Sequence, residues 1–375
     1  MATRILHVTE ACRIAGTEQS LLMLLDNSDR VQFEHVVVCR GEGMLKDEVE
    51  RRGARAVVIT RLGKADPLAL LRFGGLITRL QPHIVHIYGG RLEAVVAKAL
   101  GVPVVERKNV CRNSYYRPLI NFRAADHMLA RCVDVSISPA EAVKSHYVER
   151  GYDPQTISVV YNGVSPAPRR EKDHAAKKRA ELGIAPDCFL VAFAGRMVQA
   201  KGVDVLLAAM AQVPDRVSCV LVGDGPHAAE YCRQAGSLGL GAKAIFTGYR
   251  HDTRDIFACA DLVAVPSKSE PLANVVLEAM AEGKPVIATE VEGMPEAVEH
   301  EVNGLLVPPD DCSMLAAAIT RLAADPDEAR RMGAAGLAHA HSVLSPERMA
   351  RETEEIYRRL LQTVNERKCN AARCR

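Results

Sequence analysis

The chain has 375 residues, of which 48% are apolar and 25% charged, and a net charge of +2. That length is too great for one ordinary core and predicts two domains, while the near-neutral charge excludes a dedicated, strongly basic nucleic-acid binder. Trp is absent and aromatic residues make up only 4%, so stacking platforms for bases or sugars are scarce.

Short apolar runs alternate with helical patterns from end to end, which predicts parallel sheets with helices on both faces. The first half offers strands at Ile5–Thr9, His35–Cys39, Ala56–Ile59, Ile84–Tyr88, Pro103–Glu106, Val135–Ser138 and Ile157–Tyr161, with helices at 17–27, 67–80, 91–100 and 139–150. A basic, proline-containing stretch, Ser165–Lys172, reads as a linker. The pattern then restarts with strands at Phe189–Gly195, Val217–Gly223, Ala244–Gly248, Leu262–Pro266, Pro285–Thr289 and Gly304–Val307. A last helix is expected at about 346–364, and the polar tail Asn365–Arg375 is expected to fray. The fold class is therefore α/β, with two Rossmann-like doubly wound sheets facing a central cleft. The expected domains are 1–164 plus about 346–375, and 165–345. In such sheets ligands bind at the carboxyl ends of the strands.

The eleven cysteines form no Cys-x-x-Cys pair, and Cys39 and Cys219 fall in apolar strands, which predicts a reduced, cytoplasmic protein with buried free thiols. Residues 1–9 hold a strand core without a long apolar region, and no run reaches 18 apolar residues, so neither a signal peptide nor a membrane span is expected.

Ser269–Ile287 is the most informative segment. Glu270 stands in a loop after an apolar strand, and Glu278 stands eight positions later among Val276, Leu277, Ala279 and Met280, where burial is costly unless something pairs with it. Asn274 is read as the helix cap, Gly283 as its stop and Pro285 as a block to continuation. Backbone N–H groups beside a helix N-terminus favour anions, so two acids at such a place suit a ligand with both hydroxyls and phosphates, such as a nucleotide-sugar. Arg196 and Lys201 follow a strand and precede a helix, and together they can neutralise a diphosphate without a metal.

This Glu-x7-Glu pattern resembles the second domain of family 4 retaining glycosyltransferases of the GT-B fold. Further matches follow in order: Phe193–Arg196 with Lys201-Gly202, Leu221–Pro226, Phe246–Tyr249, Gly293–Glu296 and Asn303–Pro308. In the first half Ala15–Leu22 resembles the family's Gly-rich loop, with Ala15 where a second Gly is usual. The resemblance implies a catalytic set of Glu270, Arg196 and Lys201. Arg196 and Lys201 would hold the diphosphate and Glu278 the ribose hydroxyls. Glu270 would hold the sugar hydroxyls, with the amides of Leu272, Ala273, Asn274 and Val275 beside it. Pro271 stands where many members have Gly and removes one donor amide. Gly16 is read as the glycine whose amide approaches the phosphates, or else as a plain turn; Gly223, Gly248 and Tyr249 are read as a wall around base and ribose. Many members carry a His after the strand that here reads Val104–Asn109, and none occurs there. His86, Glu106, Arg107 and Asn109 are the acceptor-side candidates, with a packed core residue the other reading of His86. Glu282 is expected to face solvent.

The expected activity is transfer of a sugar, with retention, from a nucleotide-diphosphate sugar, UDP-linked by preference, to a glycan or lipid-linked acceptor in cell-surface polysaccharide or lipopolysaccharide synthesis. No cofactor and no metal are called for, and nucleic acid is not an expected partner. The basic stretch 107–131 either rests on an anionic membrane as a peripheral contact or is the outer face of a core helix. Rival readings are an epimerase, hydrolase or phosphorylase on the same fold, and a catalytically silent nucleotide-sugar binder. An NAD-dependent oxidoreductase would need G-x-G-x-x-G after the first strand, and residues 9–16 do not supply it.

Overall fold

The computed structural model describes residues 2–10, 14, 16–60, 66–89, 91–108 and 130–373. They form two compact units. The first leaves off at Gly163 and resumes at Pro346; the second runs Val164–Ser345.

The first unit is built on seven strands: β1 (Thr3–Val8), β2 (Phe33–Cys39), β3 (Arg55–Val58), β4 (Ile84–Ile87), β5 (Val104–Arg107), β6 (Val135–Ser138) and β7 (Ile157–Val159). Their order is β3-β2-β1-β4-β5-β6-β7, with every pair parallel. Strands such as β4 and β5 are buried along their whole length, as expected when helices cover both faces. Leu6, Val8, Val36, Val38, Val85 and Ile87 pack on one face beneath the Pro67–Leu80 helix. Ile5, Phe33, Ile84, Val105 and Ile137 pack on the other, beneath Leu24 and the last helix.

That second face carries an unusual polar stripe. His7 Nε2 and His35 Nδ1 are 2.8 Å apart, and His35 Nε2 reaches Ser28 Oγ at 2.8 Å. Ser28 Oγ donates to Glu354 on the last helix at 2.6 Å. His86 Nδ1 meets the Tyr357 hydroxyl of the same helix at 2.6 Å. Glu354 and Tyr357 thus fasten the Pro346–Arg373 helix to the sheet through buried hydrogen bonds.

The second unit has six parallel strands: β8 (Phe189–Ala194), β9 (Val217–Val222), β10 (Ala244–Gly248), β11 (Leu262–Val265), β12 (Val286–Thr289) and β13 (Gly304–Val307). Their order is β10-β9-β8-β11-β12-β13. The switch in order between β8 and β11 is where the loops leaving neighbouring strands diverge and leave room for a ligand.

The structure departs from the sequence expectations at several boundaries. Met44–Arg51 is a helix that periodicity overlooks, because only Leu45 and Val49 of its eight residues are buried. The final helix continues to Arg373 instead of fraying after 364; Glu366, Arg367, Lys368 and Ala371 are strong helix formers. Asn274 is the first helical residue and not the cap; Ala273 caps in extended geometry, with no side-chain bond. Gly283 does end the helix, in the left-handed region at φ 67°. No helix among the described residues is long and apolar enough to cross a membrane.

Burial holds His7 and His86 well below the ordinary histidine value and His35 down at about 4. These rings are neutral when folded and bind protons once unfolded, so their stabilisation is complete above about 6.5 and is lost as pH falls below it. Equilibrium urea unfolding of the first unit's transition should lose about 2 kcal/mol for each of the three histidines, roughly 5–6 kcal/mol in all, between pH 7 and 5. A transition independent of pH over that window would contradict the neutral histidine stripe.

Candidate functional site

The second unit gathers its candidate residues at the carboxyl ends of its strands. After β8 the chain turns through Gly195, Arg196 and Met197, forms a short 3-10 turn at Gln199–Lys201, and enters the Val203–Met210 helix through Gly202 at φ 64°. After β9 comes Gly223-Asp224-Gly225. The two loops are laced by main-chain bonds: Gly195 N to Val222 O (3.0 Å), Met197 N to Asp224 O (2.9 Å) and His227 N to Met197 O (3.1 Å). They lie so close that a Cβ on Gly223 would sit 1.9 Å from Gly195 O, and one on Gly225 would sit 2.6 Å from Met197 O. A Cβ on Gly202 would sit 1.9 Å from Pro266 O, at the end of β11.

That last approach sets the geometry of the charges. Lys268 N donates to Ala200 O at 2.9 Å, so the loop after β11 lies along the turn that carries Lys201. Lys201 Nζ consequently forms an ion pair with Glu270, to which Ser267 Oγ also donates at 3.3 Å. Ser267 is fixed in turn by the Thr289 hydroxyl, which donates to its carbonyl. Lys268 is tied to Asp204 and Asp310, both at 2.7 Å, and so holds the loop from below. Sequence reasoning treats Lys201 and Glu270 as ligands of different parts of a donor; the structure places them in direct contact.

Arg196 is exposed on its loop. Leu272 and Ala273 are buried and lead into the Asn274–Ala281 helix, whose start lacks a side-chain cap. Val276 N in its first turn donates to Ala273 O at 3.0 Å, and the positive end of the helix favours a bound anion. Tyr249, after the left-handed Gly248, is 65% exposed and sits edge-on to His251. Glu278 is partly buried, and neither a hydrogen bond nor an ion pair to its carboxylate is found among the described residues. Desolvation pushes its carboxyl up to about 7; Arg254 pulls it down and Glu282 pushes it further up.

Glu282 corrects the sequence reading. Its side chain is 2% exposed and takes Arg170 and Arg254 as partners. Arg170 lies in the Ser165–Lys172 linker stretch, so that stretch is clamped onto the helix carrying Glu278. Periodicity cannot reveal such pairs, because the partners lie 112 and 28 positions away and exposed charge is the usual expectation for all three.

In the first unit Gly16 opens the Gly16–Asn27 helix and its carbonyl accepts from Ser20 Oγ at 3.2 Å. Of the acceptor-side candidates, His86, Glu106 and Arg107 lie inside. His86 is fully buried against Tyr357. Glu106 pairs with Lys108, whose ammonium also lies over the rings of Tyr147 and Tyr152 at 4.6 and 4.8 Å. Arg107 is 5% exposed and donates to Asn162, which also takes a bond from Ser20 Oγ. Burial lowers the Arg107 pKa. His86 thus answers to the packed-core reading. Asn109, Ala15 and most of the 107–131 basic stretch lie outside the described residues.

Comparison with known proteins agrees with this architecture. The family profile described as Glycosyltransferase Family 4 matches residues 14–167, and that described as Glycosyl transferases group 1 matches residues 175–339. The chain belongs to the family 4 glycosyltransferases of the GT-B fold. Among relatives in this family, the D-inositol 3-phosphate glycosyltransferase of Segniliparus rotundus is 34% identical over 287 residues, covering 69% of this chain and 61% of its own length. The same-named protein of Nocardia farcinica is 37% identical over 228 residues, 58% of this chain and 49% of its own. The chain thus spans about half to three fifths of the length of these curated relatives. The lipopolysaccharide core biosynthesis glycosyltransferase LpsE of Rhizobium meliloti is 37% identical over 150 residues, 40% of this chain and 44% of its own. A crystal structure of Anabaena HepE in complex with UDP and glucose superposes with a TM-score of 0.87 at 25% identity, covering 94% of this chain and 99% of that one.

The loop packing generates a contrast between two glycines that both have positive φ. Gly223→Ala should destabilise the second unit by about 2–4 kcal/mol, because backbone must move. Gly248→Ala, with open space around it, should cost only about 1–2 kcal/mol for the left-handed conformation. Urea unfolding of the two variants checks this; equal losses would contradict the close loop contact.

Proposed function

We propose that this chain is a retaining, metal-independent glycosyltransferase that takes a nucleotide-diphosphate sugar, UDP-linked by preference, and transfers the sugar to a glycan or lipid-linked acceptor of the cell surface. The observation that carries the reading is the meeting of Lys201 and Glu270 at the strand ends, next to exposed Arg196 and an uncapped helix N-terminus. The HepE structure with UDP and glucose supports the choice of donor, and the LpsE relative supports the class of acceptor.

In this reading Arg196 and Lys201 hold the diphosphate, and charge on the departing phosphate is stabilised without a metal ion. Glu278 accepts the ribose hydroxyls. Glu270 orients the sugar. Before donor arrives, Glu270 and Lys201 neutralise one another; when the diphosphate takes up Lys201, the Glu270 carboxylate is released toward the sugar hydroxyls. Donor binding would thus prepare the group that positions the breaking bond. The reaction is placed in the cytoplasm, at the membrane face where a lipid-linked acceptor would be met.

Calorimetric titration of UDP and turnover of UDP-glucose separate these roles. Lys201→Ala should weaken UDP by about 1.5–3 kcal/mol, as for a lost charged hydrogen bond. Glu270→Ala should leave UDP affinity equal or tighter, since Lys201 loses its competitor, while turnover collapses. Both activities should survive EDTA. Undiminished UDP binding by Lys201→Ala, or turnover that needs added Mn²⁺, would overturn the assignment.

A further inference from the structure

Among the described residues, four that are not glycine have left-handed backbone: Gln81, Glu292, Glu301 and Asp310, at φ 47°, 45°, 64° and 60°. Two of them have local causes. Gln81 closes the Pro67–Leu80 helix, and its N–H donates to Ile77 O. Glu301 lies in the turn before β13, where its N–H meets Gly304 O at 2.8 Å and its carboxylate meets Arg321 at 2.9 Å. The other two stand in the loops that leave β12 and β13, at the carboxyl edge of the second sheet. Both carry their carboxylates to one short segment. Asp310 meets Lys268 Nζ at 2.7 Å, and Glu292 accepts from Ser269 Oγ at 2.9 Å. Lys268 and Ser269 are the two residues before Glu270. The end of β12 reaches the same segment again, through the Thr289 hydroxyl on Ser267 O. Aspartate enters the left-handed region readily because its short side chain bonds locally, but glutamate does not, and glycine would occupy position 292 without strain.

We infer that Glu292 is a positioning residue for Glu270: from its strained place after β12 it holds Ser269, and with it the loop that presents Glu270 to the donor sugar. The inference rests on the reading of Glu270 as the group that orients the sugar. Backbone strain of this kind persists where the surroundings enforce it, and it gathers at functional sites. Here the strain and the hydrogen bond belong to one residue, and the bond ends on the neighbour of Glu270. The need for it arises when donor binds. The Lys201 ion pair restrains Glu270 only until the diphosphate takes up Lys201. Among the restraints that then remain are Lys268 N on Ala200 O at 2.9 Å, the Lys268 ion pairs, Thr289 on Ser267 O, and Ser269 on Glu292. The last stands nearest to Glu270 along the chain. Its loss would let the orienting carboxylate wander, which lowers kcat more than affinity. Glu292 acts here as an acceptor, and an amide oxygen in the same place would accept the same bond.

The test compares the wild type with Glu292→Gly, Glu292→Gln, Ser269→Ala and Glu270→Ala. The readouts are UDP release from UDP-glucose, UDP calorimetry, urea unfolding and amide hydrogen exchange of the free protein. Glu292→Gly removes the carboxylate and the left-handed strain together, so relief offsets the lost bond and the urea midpoint should stay near the wild-type value. Its kcat should nevertheless fall roughly tenfold, with KM and UDP affinity little altered, and exchange over residues 267–270 should quicken. Ser269→Ala should lose kcat by the same factor, and the double variant by no more than either single one, because both act through one bond. Glu292→Gln should restore kcat and slow exchange. A lowered urea midpoint with wild-type kcat and exchange in Glu292→Gly would mark a merely structural residue and overturn the inference; so would a kcat loss in Ser269→Ala that adds to that of Glu292→Gly. If Glu292→Gly fails to fold, Ser269→Ala and Glu292→Gln decide; if the wild type does not release UDP from UDP-glucose, exchange over 267–270 decides. Undiminished turnover in Glu270→Ala would instead sink the reading of Glu270 itself, so the two failures are distinguishable.

Discussion

In the second unit, main chain meets main chain at distances no side chain would permit. Gly223 lies against the carbonyl of Gly195, Gly225 against that of Met197, and Gly202 against that of Pro266. These approaches join the loops leaving β8, β9 and β11 into one layer at the carboxyl edge of the sheet. Everything charged in the candidate site stands on that layer. Lys201 follows from the turn that Gly202 closes, and Glu270 follows from the loop that Pro266 opens. The glycines are therefore less a matter of flexibility than of clearance, and the ion pair between Lys201 and Glu270 is its outcome.

Charge balance then differentiates the acids of this region. Glu270 has a lysine and a serine hydroxyl for partners. Glu282 is sealed beneath two guanidinia. Glu278 has neither among the described residues, and the field of Arg254 opposes its desolvation in part. Three carboxylates within thirteen residues thus have three environments, and Glu278 is the one without a bonded partner among the described residues. The first unit uses its polar groups the other way. His7, His35, His86 and Tyr357 bond to one another or to the last helix under the sheet, which anchors that helix and takes them away from chemistry.

The fold was legible because parallel strands buried on both faces read as continuous apolar runs, and all thirteen of them stand out between helical patterns. The strand-end positions of Arg196, Lys201 and Glu270 were legible for the same reason, and Glu278 stood out as an acid within the apolar helix that follows. Contacts between distant elements were not legible. Nothing in the sequence joins Lys201 to Glu270 across 69 positions, or Arg170 to Glu282 across 112. The surface expectation for Glu282 failed because helical spacing shows which face a residue shares and not what covers that face. The place given to Asn274 as a cap failed because the helix begins one residue earlier than capping preference suggests, from buried Ala273.

The central claim is that this strand-end layer is a nucleoside-diphosphate site. A crystal structure with UDP bound tests it most directly. The account predicts diphosphate oxygens within about 3 Å of the Arg196 guanidinium and Lys201 Nζ, ribose hydroxyls on the Glu278 carboxylate, and a Glu270 carboxylate no longer paired with Lys201. UDP held elsewhere, or held here with the Lys201–Glu270 pair intact and Glu278 untouched, would contradict it.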